Sequence, residues 1–293
     1  MRMKHLLVCL ALIVFSPSDF RAQDSDTQLR ELFQRNIGTR EQMYAQFPPH
    51  KIVGNVYYVG TESLASFLVT TPEGHILINS NFEANVPVIR QSVEELGFRF
   101  EDIAIVLGSH GHGDHMEGDA LVKELTGAAV MSIREEVPLL ERLQPDGKPH
   151  PIDRILEDRE EVTLGGTTLT VHLTPGHTPG CMSWALEAEE DGETYDVLII
   201  GSVGMNPGYQ LVGNEDRPTI IEEYSRAYQR LRSLPVDVPL GSHPSMYRMA
   251  EKYERIDSGV NPFIDPEGYI AELDLNESIF RLRLEEQGAQ PEN

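Results

Sequence analysis

Three histidines and one aspartate follow directly on a short apolar stretch, and this run limits the possible folds more than any other feature of the chain. The stretch 103–107 has the length and β-branched content of a fully buried strand. The run His110-Gly111-His112-Gly113-Asp114-His115 begins three residues after it. Polar loops at the ends of buried strands are where rigid sheets carry functional side chains. We therefore expect a buried sheet whose edge carries functional side chains.

The rest of the chain alternates between strand-like runs and helix-like stripes. Strands are predicted at 56–59, 66–69, 76–78, 128–131, 181–186 and 197–200, with a hairpin over 163–173 that turns at Gly165-Gly166. Helices are predicted around 29–33, 86–96, 120–125, 218–231 and 274–284. No linker separates these elements into two units. The pattern predicts one layered α/β domain.

The histidines and the aspartate have the spacing of metal ligands. In an extended segment residues i and i+2 point the same way, so His110 and His112 can bind one ion. Asp114 and His115, further round the turn, can face a second ion. Two more histidines follow predicted strands on loops rich in glycine and proline, His177 within 174–180 and His243 within 241–244. Imidazole and carboxylate together suit zinc, so we predict a zinc site.

The N-terminus has the pattern of a secretory signal peptide. Arg2 and Lys4 precede ten apolar residues at 6–15 and the small residues at 16–18. A span of ten is too short to cross a bilayer, which needs about 20. We expect residues 1–22 to be removed, with the cut after Ser18 or Ala22, leaving 23–293 as a single domain. The predicted location is the periplasm or the outside of the cell, with no membrane attachment after cleavage.

Charge and cysteine content limit the partners of the chain and the means by which its fold is stabilised. The chain has 24 Lys+Arg against 47 Asp+Glu, a net charge of −23, which repels phosphate backbones and argues against a nucleic-acid partner. Without the signal peptide only Cys181 remains, so no internal disulfide is expected and packing or metal stabilises the fold. We predict that Cys181 is a buried thiol rather than a ligand, that Trp184 lies in the core, and that the protein is a monomer.

These residues resemble the hallmark of the metallo-β-lactamase superfamily, which is HxHxDH followed by two downstream metal histidines. The resemblance runs from about residue 51 to at least 243. It implies a four-layer αβ/βα sandwich, with two sheets face to face, helices outside, and two Zn²⁺ ions at one edge. It also implies a first zinc bound by His110, His112 and His177 and a second bound by Asp114, His115 and His243.

One position favours a particular branch of the family. Relatives such as glyoxalase II, lactonases and RNA-processing nucleases carry a metal-bridging Asp after the strand that precedes residue 201, and many β-lactamases have Cys there. This chain has Ser202, which resembles subclass B3. The resemblance implies that Ser202 and Asn206 bind the substrate carboxylate. The chain departs from subclass B3 at Gly111 and Gly113, where one larger residue is usual, and at Gly204, where some members have a second serine.

The resemblance implies zinc-dependent hydrolysis of the β-lactam amide bond of penicillins, cephalosporins and carbapenems by a metal-bound hydroxide. Asp114 would orient this nucleophile, and the partner would be a small-molecule β-lactam. Two alternatives stay open. The chain could be another metallohydrolase of the superfamily, such as a lactonase or thioesterase, although Ser202 argues against this. It could also be an exported zinc-binding protein without catalysis.

Overall fold

The computed structural model describes residues 24–288, so the predicted signal peptide at 1–22 lies outside the described residues. Within this range twelve strands form one sheet of seven and one sheet of five. Helices flank the two sheets, which confirms the predicted αβ/βα sandwich. Within the same range no helix combines the length and the apolar character needed to cross a membrane.

The seven-stranded sheet follows chain order from β1 to β7. Its strands are β1 His50–Val53, β2 Val56–Tyr58, β3 Phe67–Thr71, β4 Gly74–Ile78, β5 Ile103–Leu107, β6 Ala129–Ile133 and β7 Arg154–Leu156. The first four pair antiparallel, and β4 to β7 pair parallel. The buried strand predicted before the histidine run is β5, an interior strand of this sheet between β4 and β6.

The five-stranded sheet has the order β12-β11-β10-β9-β8. Its strands are β8 Glu161–Leu164, β9 Thr167–Leu173, β10 Met182–Glu190, β11 Glu193–Ile200 and β12 Val238–Gly241. The predicted hairpin joins β8 to β9, and both Gly165 and Gly166 have positive φ there. The strands β8 to β11 pair antiparallel, whereas β12 pairs parallel to β11.

Among the described residues two helices precede the first strand, and the others lie between and after the strands. They are α1 Ser25–Ile37, α2 Arg40–Tyr44, α3 Val86–Glu95, α4 Gly113–Met116, α5 Asp119–Thr126, α6 Val137–Leu140, α7 Ile220–Ser233, α8 Met249–Tyr253 and α9 Pro266–Glu286. The predicted helices at 29–33 and 274–284 are both longer than expected. In α9 the side chain of Asp265 accepts a hydrogen bond from the Gly268 amide, which caps a helix that starts eight residues earlier than predicted.

Alternation along the strands of the seven-stranded sheet separates two apolar layers. Ile76 and Ile78 belong to the core between the sheets, together with Trp184 of β10. Leu77 lies on the other face, in a second cluster with Ile89 of α3. The prediction that Trp184 is a core residue is confirmed, since its side chain is fully buried.

Two strands are longer than the sequence analysis predicted. The run predicted at 181–186 begins one residue before β10 and covers only its first part, and the run at 197–200 covers only the last part of β11. The two strands continue towards each other and meet in a tight turn at Asp191-Gly192. Both turn residues have positive φ, 54° and 86°. Asp-Gly is a strong signal for a two-residue hairpin turn. This signal was present in the sequence and could have extended both predictions.

Candidate metal centre

The residues of the predicted metal site come from three loops and one short helix at a single edge of the sandwich. His110 and His112 follow β5, and His115 lies in α4. His177 lies in the loop from β9 to β10, and His243 follows β12. Since β9 and β12 run in the same direction within their sheet, their carboxyl ends meet at the same edge. The backbone amide of Met182 donates to the carbonyl of Ser109 at 2.8 Å, which joins the two sheets at this point.

The first group consists of His110, His112 and His177, whose ligand atoms all lie within 4.8 Å of one another. His112 Nδ1 and His177 Nε2 are 3.3 Å apart. The ring centre of His110 lies 4.7 Å from that of His112 and 4.5 Å from that of His177. Three imidazoles that converge on one point form a set of ligands that suits zinc.

The second group consists of Asp114, His115 and His243, and its ligand atoms are also within 4.8 Å of one another. Asp114 Oδ2 lies 3.4 Å from His115 Nε2 and 3.8 Å from His243 Nε2. The ring centres of His110 and His115 are 4.3 Å apart, so the two groups are adjacent. The six predicted ligands are therefore brought together in the two sets of three that the sequence analysis expected.

Hydrogen bonds to backbone carbonyls orient two of the histidines. His177 donates from Nδ1 to the carbonyl of Gly204 at 2.8 Å, and His243 donates from Nδ1 to the carbonyl of Ser63 at 3.0 Å. In each ring the proton on Nδ1 leaves the Nε2 lone pair free and directed into the centre. Such a donor on the far nitrogen is the usual support of a metal-binding histidine.

Three ring nitrogens of two buried histidines lack hydrogen-bond partners among the described residues. Among the described residues no group hydrogen-bonds to Nε2 of His110 or to either nitrogen of His115, although these residues are at most 1% exposed. A buried polar atom without a partner is costly. Metal ions that accept one lone pair from each ring reduce this cost, so the residues present fit a metal.

The protonation states of the centre also fit a metal. Burial lowers the pKa of His115 and of His177 to about 3 each, and it lowers the pKa of His110 well below its usual value. Burial alone would raise the pKa of Asp114, but the neighbouring His115 and His243 lower it overall. Neutral imidazoles and an ionised carboxylate are the forms that bind metal, so binding at neutral pH displaces few protons.

A buried glutamate that the sequence analysis missed supports two of these loops. Glu136 is fully buried, in a 3₁₀ turn after β6. Its Oε1 accepts from the Gly111 amide at 2.5 Å, and its Oε2 accepts from Thr178 Oγ1 at 2.9 Å and from the Gly180 amide at 2.7 Å. Burial raises the pKa of Glu136, with these donors opposing the rise. The surrounding sequence, an ordinary charged segment, gave no signal of this role.

Cys181 lies in the interior, where the sequence analysis predicts it. Cys181 is fully buried and free, and its thiol donates to the carbonyl of Ser202 at 3.5 Å. Burial raises the pKa of this thiol, and Cys181 belongs to neither ligand group. The prediction of a buried, inert thiol is confirmed.

A cleft of about 270 Å³ opens over the two ligand groups. Ser202 and Asn206, the predicted substrate contacts, both line it. The cleft also has an apolar part of its lining, formed by side chains that the sequence analysis did not assign to the site: Leu32, Phe33 and Ile37 of α1, together with Phe82. A larger groove of about 800 Å³ lies near the opposite ends of β9 and β11, but histidines are absent from its described lining, so size alone does not identify the site.

Comparison with known proteins agrees with this geometry. The family model of the metallo-beta-lactamase superfamily matches residues 59–243. Among solved structures, the native FEZ-1 metallo-beta-lactamase from Legionella gormanii is 43% identical with a TM-score of 0.79, and the match covers 84% of this chain and 98% of that one. BJP-1, a subclass B3 metallo-beta-lactamase of Bradyrhizobium japonicum, is 32% identical with a TM-score of 0.77, covering 84% and 97%.

Curated sequences point to other activities over shorter segments. A hydroxyacylglutathione hydrolase of Anaeromyxobacter dehalogenans is 39% identical over 99 residues, 34% of each chain. The mitochondrial persulfide dioxygenase of Homo sapiens is 28% identical over 129 residues, 44% of this chain and 45% of that one. The chain thus spans less than half the length of these curated relatives.

Proposed function

This chain belongs to the metallo-beta-lactamase superfamily, and from that premise we propose that it hydrolyses the amide bond of β-lactam antibiotics with two bound zinc ions. The observation that carries the proposal is the second ligand group, Asp114, His115 and His243, combined with Ser202 in the cleft. The sequence resemblance relates this combination to subclass B3. The 43% sequence identity to the FEZ-1 metallo-beta-lactamase, over 98% of the length of that protein, supports the same assignment.

The residues assigned to the two zinc ions are the two sets of three described above. The first zinc would be bound by His110, His112 and His177, and the second by Asp114, His115 and His243. When bound, zinc lowers the pKa of a coordinated water and acts as a Lewis acid towards the lactam carbonyl.

Asp114 has a second role, as the proposed catalytic residue. Its lowered pKa keeps the carboxylate ionised at neutral pH, so it can accept a hydrogen bond from the attacking water and orient it. His115 and His243 contact the same carboxylate within 3.8 Å and limit its motion. No side-chain nucleophile is required in this mechanism.

The cleft has the chemistry needed to bind a β-lactam. Ser202 and Asn206 offer hydrogen-bond donors for the carboxylate that these antibiotics carry. A Cβ built at Gly204 would have no heavy atom closer than 3.6 Å, so glycine leaves space in the floor between them. Phe33 and Phe82, which also line the cleft, offer apolar surface for the substituents of the lactam.

A second candidate function is hydrolysis of a thioester. The 39% identity to a hydroxyacylglutathione hydrolase favours it, but that match covers only 34% of the relative. Glyoxalase II enzymes carry a metal-bridging Asp where this chain has Ser202, which supports the lactamase assignment instead. Lactone hydrolysis and metal binding without catalysis are the remaining alternatives.

The test is hydrolysis by the zinc-loaded protein, with and without a chelator. A penicillin, a cephalosporin, a carbapenem and an acyl-homoserine lactone are offered separately; opening of the lactams is followed by ultraviolet absorbance and opening of the lactone by a pH indicator. We expect chelator-sensitive turnover of the lactams, loss of most of it in His243→Ala, and little change in the control His172→Ala, whose histidine belongs to neither ligand group. Turnover of the lactone alone, or equal activity in His243→Ala, would contradict the proposal.

A further inference from the structure

The carboxylate of Glu136 joins the two loops that carry the first ligand group. Its Oε1 accepts from the amide of Gly111, the residue between His110 and His112. Its Oε2 accepts from Thr178, the residue directly after His177. Glu136 comes from neither loop, and its side chain is fully buried. One side chain therefore contacts both halves of a site whose parts are 65 residues apart in sequence.

Both carboxylate oxygens are needed for this bridge. Oε1 serves one loop, whereas Oε2 serves the other through the Thr178 hydroxyl and the Gly180 amide. The two amides can only donate, so each requires an acceptor. A glutamine has one oxygen and one NH₂ group, and in either orientation it would place a donor against one of the loops. An aspartate is one methylene shorter and would reach only one loop.

Two glycines let the carboxylate come this close. A Cβ built at Gly111 would lie 3.1 Å from Glu136 Oε1 and 2.9 Å from the Cβ of Leu139. A Cβ built at Gly180 would lie 2.4 Å from the backbone nitrogen of Glu136. A larger residue at 180 would displace the 3₁₀ turn, and one at 111 would displace the side chains of Glu136 and Leu139. The glycine at 111 is therefore matched to the position of Glu136.

The second ligand group has different supports. His243 is oriented by the carbonyl of Ser63, and Asp114 contacts His115 and His243 directly. None of these contacts involves Glu136. A change at Glu136 should consequently affect one ligand group more than the other, which separates a positioning role from a general contribution to folding.

We propose that Glu136 is a positioning residue, which sets the distance between the loop of His110 and His112 and the loop of His177 and thereby raises the metal affinity of the first group. This inference rests on the metal centre of the proposed function and does not depend on the substrate. Loss of a supporting partner of this kind lowers metal affinity by about 10- to 100-fold.

The experiment compares zinc binding by the wild-type protein, Glu136→Gln and the matched control Glu135→Gln. Glu135 is the exposed neighbour in the same turn. Competition with a chromophoric chelator gives the number and affinity of zinc ions, and circular dichroism with urea unfolding of the metal-free proteins shows whether each is folded. In Glu136→Gln we expect one zinc to bind at least about tenfold more weakly and the other to bind unchanged. Glu135→Gln should match the wild type.

The possible outcomes separate this inference from the proposed function. A folded Glu136→Gln that binds both zinc ions as tightly as the wild type would overturn the positioning role while the metal centre stands. Equal weakening of both ions would also overturn it, because the role is specific to the first group. A wild-type protein that binds no zinc would overturn the inference together with the proposed function.

A second variant decides the matter if Glu136→Gln does not fold. Thr178→Val removes one donor to Oε2 at nearly constant volume and leaves the two amide contacts in place. We expect a smaller loss of affinity, again limited to one zinc ion. Unchanged affinity at both ions in folded Thr178→Val would overturn the proposal in that case.

Discussion

The indole Nε1 of Trp184 donates a hydrogen bond to the carbonyl of Gly108 at 2.8 Å. Trp184 lies in β10 of the five-stranded sheet, and Gly108 directly follows β5 of the seven-stranded sheet. The bond therefore crosses the interface between the sheets two residues before His110. This contact couples packing of the sandwich core to placement of the loop that carries His110 and His112.

Replacement of Trp184 by phenylalanine tests this coupling. The variant loses the bond to Gly108 and leaves a cavity, so we expect a loss of about 2–4 kcal/mol in the free energy of unfolding. Zinc affinity should fall as well, because the loop before His110 loses a support. Urea unfolding followed by circular dichroism measures the first effect and chelator competition the second. Unchanged stability and affinity would show that the contact is dispensable.

Zinc should stabilise the folded protein. One unpartnered nitrogen in each of His110 and His115 gains a partner when metal is bound, and ligands that bind the native state alone add stability by mass action. At free zinc about a thousandfold above the dissociation constant, the gain in the free energy of unfolding is about 4 kcal/mol for each bound ion. Trp184 is the only tryptophan of the chain, so its fluorescence reports unfolding directly. Identical urea midpoints with zinc and with chelator would rule out a metal-binding native state.

Ser202→Ala should weaken substrate binding more than turnover. A hydrogen bond to a charged carboxylate contributes about 1.5–3 kcal/mol, so its loss should raise KM by about tenfold or more. Steady-state kinetics on a carbapenem measure the change. A lactam whose carboxylate is esterified is the control, because it should be affected little by the substitution. An equal increase in KM for both substrates would argue against carboxylate binding by Ser202.

Acid should destabilise the fold in part through His50, which is far from the metal centre in sequence. Its ring stacks on Tyr58 and Phe263, and burial lowers its pKa to about 4. The folded state keeps His50 neutral, whereas the unfolded chain takes up a proton as the pH falls below about 6.5. The stability contribution is complete above that pH and is lost as the pH falls towards about 4.

The pH dependence of His50→Phe measures this contribution. Between pH 7 and pH 5 the wild type should lose about 2 kcal/mol more than the variant in the free energy of unfolding. Both proteins are studied metal-free, so that zinc release at low pH does not contribute. Parallel stability curves for the two proteins would contradict the assignment.

The sequence predicted which six residues converge at the candidate metal centre, because local signals mark them. His110 and His112 follow a buried strand at a spacing that has few other uses, and glycines flank His177 and His243 within short loops. The helix predicted at 29–33 was too short because tertiary contacts extend it. At its start Ser25 hydrogen-bonds to Glu286, and near its end Arg35 forms an ion pair with Glu272. Contacts so distant in sequence leave no local pattern.

Contacts that are distant in sequence also explain why the sequence analysis missed Glu136, which supports the site. Glu136 acts on backbone amides 25 and 44 residues away, and amides are present at nearly every position. The apolar part of the cleft lining depends on where α1 docks, which is a property of the folded chain. Candidate ligands are therefore recognisable from local sequence, whereas their positioning is a tertiary property.

The proposed function requires this metal centre to open β-lactam rings in preference to thioesters. Its most direct test is kcat/KM for a carbapenem and for a hydroxyacylglutathione thioester, measured on one zinc-loaded preparation. We predict a preference for the carbapenem of at least about a hundredfold, which a chelator abolishes and added zinc restores. A preparation that cleaves the thioester and leaves the carbapenem intact would contradict the claim.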